Sequence, residues 1–120
     1  KYKSSLICVE DLKQKLELFS FILSDIHFTS SEKIILIHSN LIEDFTKIVS
    51  EFFYRDIEEL TEANINISSN KVRYSTPIKY RGLENESVYL ITKELNDSTK
   101  IQNYIGATRA MNSLKIILWK

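Results

Sequence analysis

A chain of 120 residues, 43% hydrophobic and 27% charged, has the ordinary composition of a single globular domain with one core. Its 16 basic and 16 acidic residues cancel, which excludes a surface that grips duplex nucleic acid by charge alone but leaves room for a few phosphate contacts in a shared groove. The single cysteine, Cys8, excludes an internal disulfide and a multi-cysteine zinc site, and no apolar run is long enough to span a bilayer.

Cys8 reads as a small buried apolar residue in a reducing compartment, and with no secretory leader visible the expected location is cytoplasmic. The chain begins at Lys1 rather than Met and reads as one domain over residues 1–120, a fragment of a longer protein. With two glycines and one proline, the turns fall to Asn, Asp and Ser.

Leu12, Leu16, Phe19, Leu23 and Ile26 recur at three- and four-residue steps and predict an amphipathic helix over about residues 9–26. Ile34-Ile35-Leu36-Ile37 is apolar on both faces, as a central parallel strand covered by helices must be. Asn40 then reads as an N-cap with Glu43 in a capping-box position. Leu41, Phe45, Ile48, Val49 and Phe52 carry that helix to about Arg55. Phe45, Phe52 and Phe53 sit at helical spacing and read as core rather than as base-stacking platforms.

Residues 57–70 predict a loop with a short strand near Ile65 and Ile67, and Glu58, Glu59 and Glu62 read as a solvated acidic face. Lys71 to Ser75 alternates as a strand that Pro77 ends. Ser87 to Thr92 is a further apolar strand, Asn96-Asp97-Ser98 a turn and cap, and Ile101, Tyr104 and Ile105 the apolar side of another helix. Leu114 to Trp119 is the last strand. Helices alternating with buried strands predict a three-layer α/β domain with a mainly parallel sheet and right-handed crossovers. His27 and His38 are far apart and lack a partnering cysteine, so no metal site is expected; His38, at a strand end, reads as a satisfied polar residue.

Two segments carry candidate chemistry. In Tyr80-Arg81-Gly82-Leu83-Glu84 the glycine lies between two strands, where the chain must turn sharply and backbone can approach a ligand. In Tyr104-Ile105-Gly106-Ala107-Thr108-Arg109-Ala110 the arginine follows a helix, and small neighbours leave its guanidinium room to reach across an interface. A guanidinium is planar, permanently charged and able to donate two parallel bonds, which suits a phosphoryl group. Tyr80, flanked by Lys79 and Arg81, is a candidate for stacking on a base or adenine.

In this order the segments resemble the C-terminal motor domain of UvrD-like superfamily 1 helicases. That family runs Thr-Ile-His-x-x-Lys-Gly-Leu-Glu, an apolar strand, then Tyr-Val-(Ala/Gly)-x-Thr-Arg-Ala and a final strand. Here Thr76 through Glu84 and Tyr104 through Ala110 stand in those places, and the strand at 34–40 is similar to the family's earlier one. The resemblance implies a RecA-like fold without its own phosphate loop.

It also implies roles, residue by residue. Arg109 becomes the catalytic arginine that reaches the ATP γ-phosphate; Arg81, Gly82 and Glu84 become nucleotide-binding, with Glu84 on the ribose. Thr76, Ile78 and Lys79 fall at or beside positions where the family contacts the tracked strand. Its partners would be an N-terminal RecA-like domain of the same protein and single-stranded nucleic acid, DNA in preference to RNA. Ile78 replaces the family's histidine, Pro77 an aliphatic residue and Arg81 a lysine, and the large inserted subdomain of UvrD is absent.

No Gly-x-x-x-x-Gly-Lys-Ser/Thr segment occurs, and no strand ends in paired acids for magnesium. ATP and magnesium are therefore expected in the complete protein, held mainly by the other motor domain, with no turnover by this chain alone. A helicase-derived, non-catalytic interaction domain is the alternative, and the missing histidine is its support.

Overall fold

The computed structural model describes residues 3–96 and 100–120. Six strands form one all-parallel sheet: β1 (Lys3–Val9), β2 (Lys33–Ile37), β3 (Ile57–Glu59), β4 (Val72–Ser75), β5 (Asn85–Thr92) and β6 (Ala110–Trp119), in the spatial order β1-β6-β5-β2-β4-β3. Three α-helices connect them: α1 (Leu12–Ser24), α2 (Ile42–Ile48), which runs on as a π-helical turn over Val49–Phe53, and α3 (Lys100–Ala107). The expected three-layer α/β architecture is present, and the sheet is wholly rather than mainly parallel.

Alternation along the strands divides the core in two. One face carries Ile35, Ile37, Tyr89, Ile91, Ile117 and Trp119, which pack against Leu18, Phe19 and Ile22 of α1 and Phe45 and Ile48 of α2. The opposite face carries Ile34, Leu36, Val88, Leu90 and Leu114. That face is covered by Tyr80 from the β4–β5 connection and by the end of α3. β2 is buried at every position between β4 and β5, as a run apolar on both faces requires.

The ends of α1 are set by local chemistry. Asp11 caps it, accepting from the Gln14 N–H at 2.8 Å while Gln14 returns a bond to the chain before the helix. At its far end the Lys33 ammonium donates to the Ile22 carbonyl at 2.7 Å. Burial there lowers the Lys33 pKa, and the Asp25 charge opposes the shift.

Several expectations are corrected. α1 starts at Leu12, and its buried stripe runs through Leu18, Phe19 and Ile22; Leu12 and Ile26 are exposed, Ile26 at 92%. The Lys15 ammonium lies over the Trp119 ring, 4.6 Å from its centre. Asn40 is not an N-cap: the His38 Nδ1 accepts from the Asn40 N–H at 3.3 Å, and α2 starts at Ile42 without a side-chain cap. Phe53, not Phe52, packs inward, 4.8 Å from Phe19 between ring centres, because the π-helical turn shifts the register.

Ile65 and Ile67 form no strand and are exposed; the strand of that region is β3. β1 too was unforeseen. Cys8 is exposed, because edge strand β1 has no layer over the face where Leu6 and Cys8 lie. Of the expected Asn96-Asp97-Ser98 turn, Asn96 stands in a bend, while Asp97 and Ser98, like the side chains of Ile101 and Tyr104, lie outside the described residues.

Candidate functional site

The two motif segments meet. Nine residues, Thr76 to Glu84, run from the carboxyl end of β4 to the amino end of β5. Tyr80, 5% exposed, pins this crossover to the sheet with its ring among Ile34, Leu36, Val88 and Leu90. Its hydroxyl donates to the Glu84 carbonyl at 3.2 Å. Burial raises the Tyr80 pKa; an Asn85 hydrogen bond and the Arg109 charge pull it down, and the Glu84 charge pushes it further up. The candidate stacking role for Tyr80 is therefore overturned: the ring is core.

Two residues later the chain reverses at Gly82, whose φ of +85° favours glycine. The space around Gly82 is open, so the requirement is conformational rather than one of close approach. Arg81, Gly82 and Glu84 are exposed, and neither the Arg81 guanidinium nor the Glu84 carboxylate has a hydrogen bond or ion pair among the described residues.

Arg109 stands between α3 and β6. Its carbonyl accepts from the Asn85 N–H at 3.0 Å, which joins the amino ends of β5 and β6. The half-buried guanidinium folds back over the helix end. Nε donates to the Ile105 carbonyl at 3.2 Å, Nη2 to the Thr108 hydroxyl at 2.9 Å, and Nη1 approaches the Leu83 carbonyl at 3.5 Å, the outer limit of a bond. Thr108 in turn donates to the Ile105 carbonyl at 2.9 Å. No carboxylate pairs with Arg109 among the described residues. With five N–H donors, the guanidinium keeps capacity for an oxygen ligand.

Arg81, Gly82, Glu84 and Arg109 thus share one edge of the sheet, and it is the amino edge of β5 and β6. The rule for open α/β sheets places ligands at the carboxyl ends; this site departs from it because the β4–β5 connection delivers its last residues to the start of β5. Thr76, Ile78 and Lys79 fall toward the other end of the same connection. The Thr76 hydroxyl accepts from the Lys79 N–H at 3.3 Å, Ile78 is 44% exposed, and the Lys79 ammonium lies 3.9 Å from a Glu59 carboxylate oxygen. The predicted nucleotide and nucleic-acid residues therefore form two separate groups.

Beside Glu84 lies a groove of about 460 Å³ that the sequence patterns did not single out. Ser30, Ser31, Ser69, Lys71, Tyr80 and Asn85 are among its walls. Arg73 lines it too, but is held by Glu58, directly across the strand pair, at 2.8 Å, and that bond lowers the Glu58 pKa. The serines at 30–31 and 68–69 were legible only as turn residues, since nothing in their spacing says that the two loops meet.

The charges fit a ribose and a phosphate in kind: exposed Glu84 accepts, while exposed Arg81 and half-buried Arg109 donate. Magnesium finds no such fit, since no group of three or more His, Cys, Asp and Glu stands together among the described residues. No helix among them is long and apolar enough to cross a membrane.

No family model and no curated protein matches the sequence. Among solved structures, the chain is similar to the C-terminal domain of a possible DNA helicase from Lactobacillus plantarum WCFS1. The TM-score is 0.74 over 95% of this chain and 72% of that one, at 12% sequence identity. A likeness at that identity is one of fold, and this chain has the three-layer α/β, RecA-like fold that a helicase C-terminal domain also has.

Proposed function

We propose that the chain is the second motor domain of an ATP-driven, UvrD-like superfamily 1 helicase or translocase. The observation that carries this reading is the meeting of the two motif segments, Arg109 bonded through its backbone to Asn85 and reaching Leu83 with its side chain. The fold shared with a helicase C-terminal domain supports it. ATP, held mainly by a first motor domain, supplies the phosphoryl transfer. On this side of the cleft, Arg109 stabilises the charge that develops on the transferring group, Arg81 balances the phosphates and Glu84 accepts from a sugar hydroxyl. Thr76, Ile78 and Lys79 form part of the track for single-stranded nucleic acid, DNA in preference to RNA.

The test is Arg109→Ala in the complete protein. Turnover should fall on the order of a thousandfold, with a much smaller change in ATP affinity. Arg109→Lys should rescue poorly, because an ammonium cannot make the forked contact. Turnover within a fewfold of wild type in the alanine variant would remove the role.

The exposed apolar Ile78, where the family has histidine, favours a second reading as a non-catalytic interaction domain. Under it, the complete protein would show no ATP turnover that single-stranded nucleic acid stimulates.

A further inference from the structure

We infer that Thr108 is a positioning residue for Arg109, its hydroxyl fixing the direction in which the guanidinium is presented; this rests on the reading of Arg109 as the phosphate-facing arginine. The geometry is that of a relay. The hydroxyl donates its single proton to the Ile105 carbonyl at 2.9 Å, which leaves only its lone pairs for Arg109. Both Nη2, at 2.9 Å, and Nε, at 3.3 Å, point at that oxygen. Nε also reaches the same Ile105 carbonyl at 3.2 Å. The planar guanidinium is thus held along one side by a hydroxyl and a carbonyl that are themselves joined, and the opposite side faces the Leu83 carbonyl at 3.5 Å.

A long, flexible side chain loses orientation unless its donors are fixed beforehand, and fixed donors are what make a charge useful in a transition state. Thr108 is half-buried, so its oxygen keeps this role without full competition from water. The Leu83 contact is the weakest of the set. It comes from the segment that reverses at Gly82, which makes it the contact most easily exchanged for an oxygen of a bound ligand.

The experiment compares Thr108→Val, Thr108→Ser and Arg109→Ala in the complete protein, by steady-state ATP turnover and thermal unfolding. Valine keeps the branched shape and removes the acceptor; serine keeps the acceptor and removes a methyl. The expected result for Thr108→Val is a kcat lower by roughly tenfold to a hundredfold, the worth of one hydrogen bond to a charged group. KM for ATP should move little, Tm should stay near that of the native protein, and Thr108→Ser should restore turnover.

Normal turnover in Thr108→Val beside a crippled Arg109→Ala would overturn the inference and leave the reading of Arg109 standing. Equal losses in the valine and serine variants, tracking a lowered Tm, would make Thr108 merely structural and overturn it too. Normal turnover in Arg109→Ala would overturn the underlying reading itself.

Discussion

Tyr80 is held at both ends, by apolar packing around its ring and by the Glu84 carbonyl at its hydroxyl. Tyr80→Phe should therefore cost about 0.5–1.5 kcal/mol, one hydrogen bond. Tyr80→Ala should cost about 3–5 kcal/mol, because it empties a core position. Urea unfolding of the chain measures both. If Tyr80 were a surface platform the two variants would be alike.

Tyr89 gives a second residue-scale test. Burial, helped by the Asp25 charge and opposed by Ser87, pushes its pKa from 10.0 up to about 12. Between those values the folded chain keeps a proton that the unfolded chain has lost. The stability tied to that proton is fully present below pH 10 and is lost as pH rises toward 12. Lys33 has the opposite sign: its lowered pKa makes stability rise with pH just below its ordinary value of 10.5. The urea midpoint should fall between pH 10 and 12, and Tyr89→Phe should flatten that fall.

At the scale of the element, α3 approaches the sheet through a glycine. A Cβ built on Gly106 would lie 2.6 Å from a methyl of Leu90, itself 1% exposed. Gly106→Ala gains about 1 kcal/mol of helix propensity but must displace that buried leucine, which costs about 1–3 kcal/mol. We expect a net loss of stability, and a loss in the Gly106→Ala, Leu90→Ala double variant smaller than the sum of the two single losses; a more stable Gly106→Ala variant would show that Leu90 moves freely.

The elements most legible in the sequence are those whose burial is complete. β2 could be read from Ile34 to Ile37, and β5 from Val88 to Ile91, because a run apolar on both faces fits only a strand covered on both sides. β1 and β3 escaped because edge strands need little apolar pattern: β1 opens with polar residues and leaves Leu6 and Cys8 exposed, and β3 has one buried residue, Ile57. At the site, Arg109 and Gly82 were visible in their motifs. The Leu83 and Ile105 carbonyls were not, because a backbone acceptor has no signature in side-chain identity.

At the scale of the whole molecule, the proposed function makes the site one wall of a cleft. We expect the isolated chain to show no ATP turnover above a buffer control in a phosphate-release assay, since its sequence has no phosphate loop and no group of acidic ligands stands together among the described residues. Turnover at ordinary helicase rates, about 1 per second or faster, would contradict the division of labour proposed above.

The first and last strands of the chain, β1 and β6, lie side by side and point the same way, Lys3 opposite Ser113 and Val9 opposite Trp119. The evenly spaced, slanted bonds of a parallel pair respond differently to tension in different directions. A pull between Lys3 and Trp119 acts along the strands in shear and strains all seven paired positions together. A pull between Lys3 and Ser113 opens the same ladder from one end, rung by rung. In single-molecule stretching, the first pair of handles should require the larger unfolding force, so the fold resists tension between its two ends far better than the small area of an edge strand suggests.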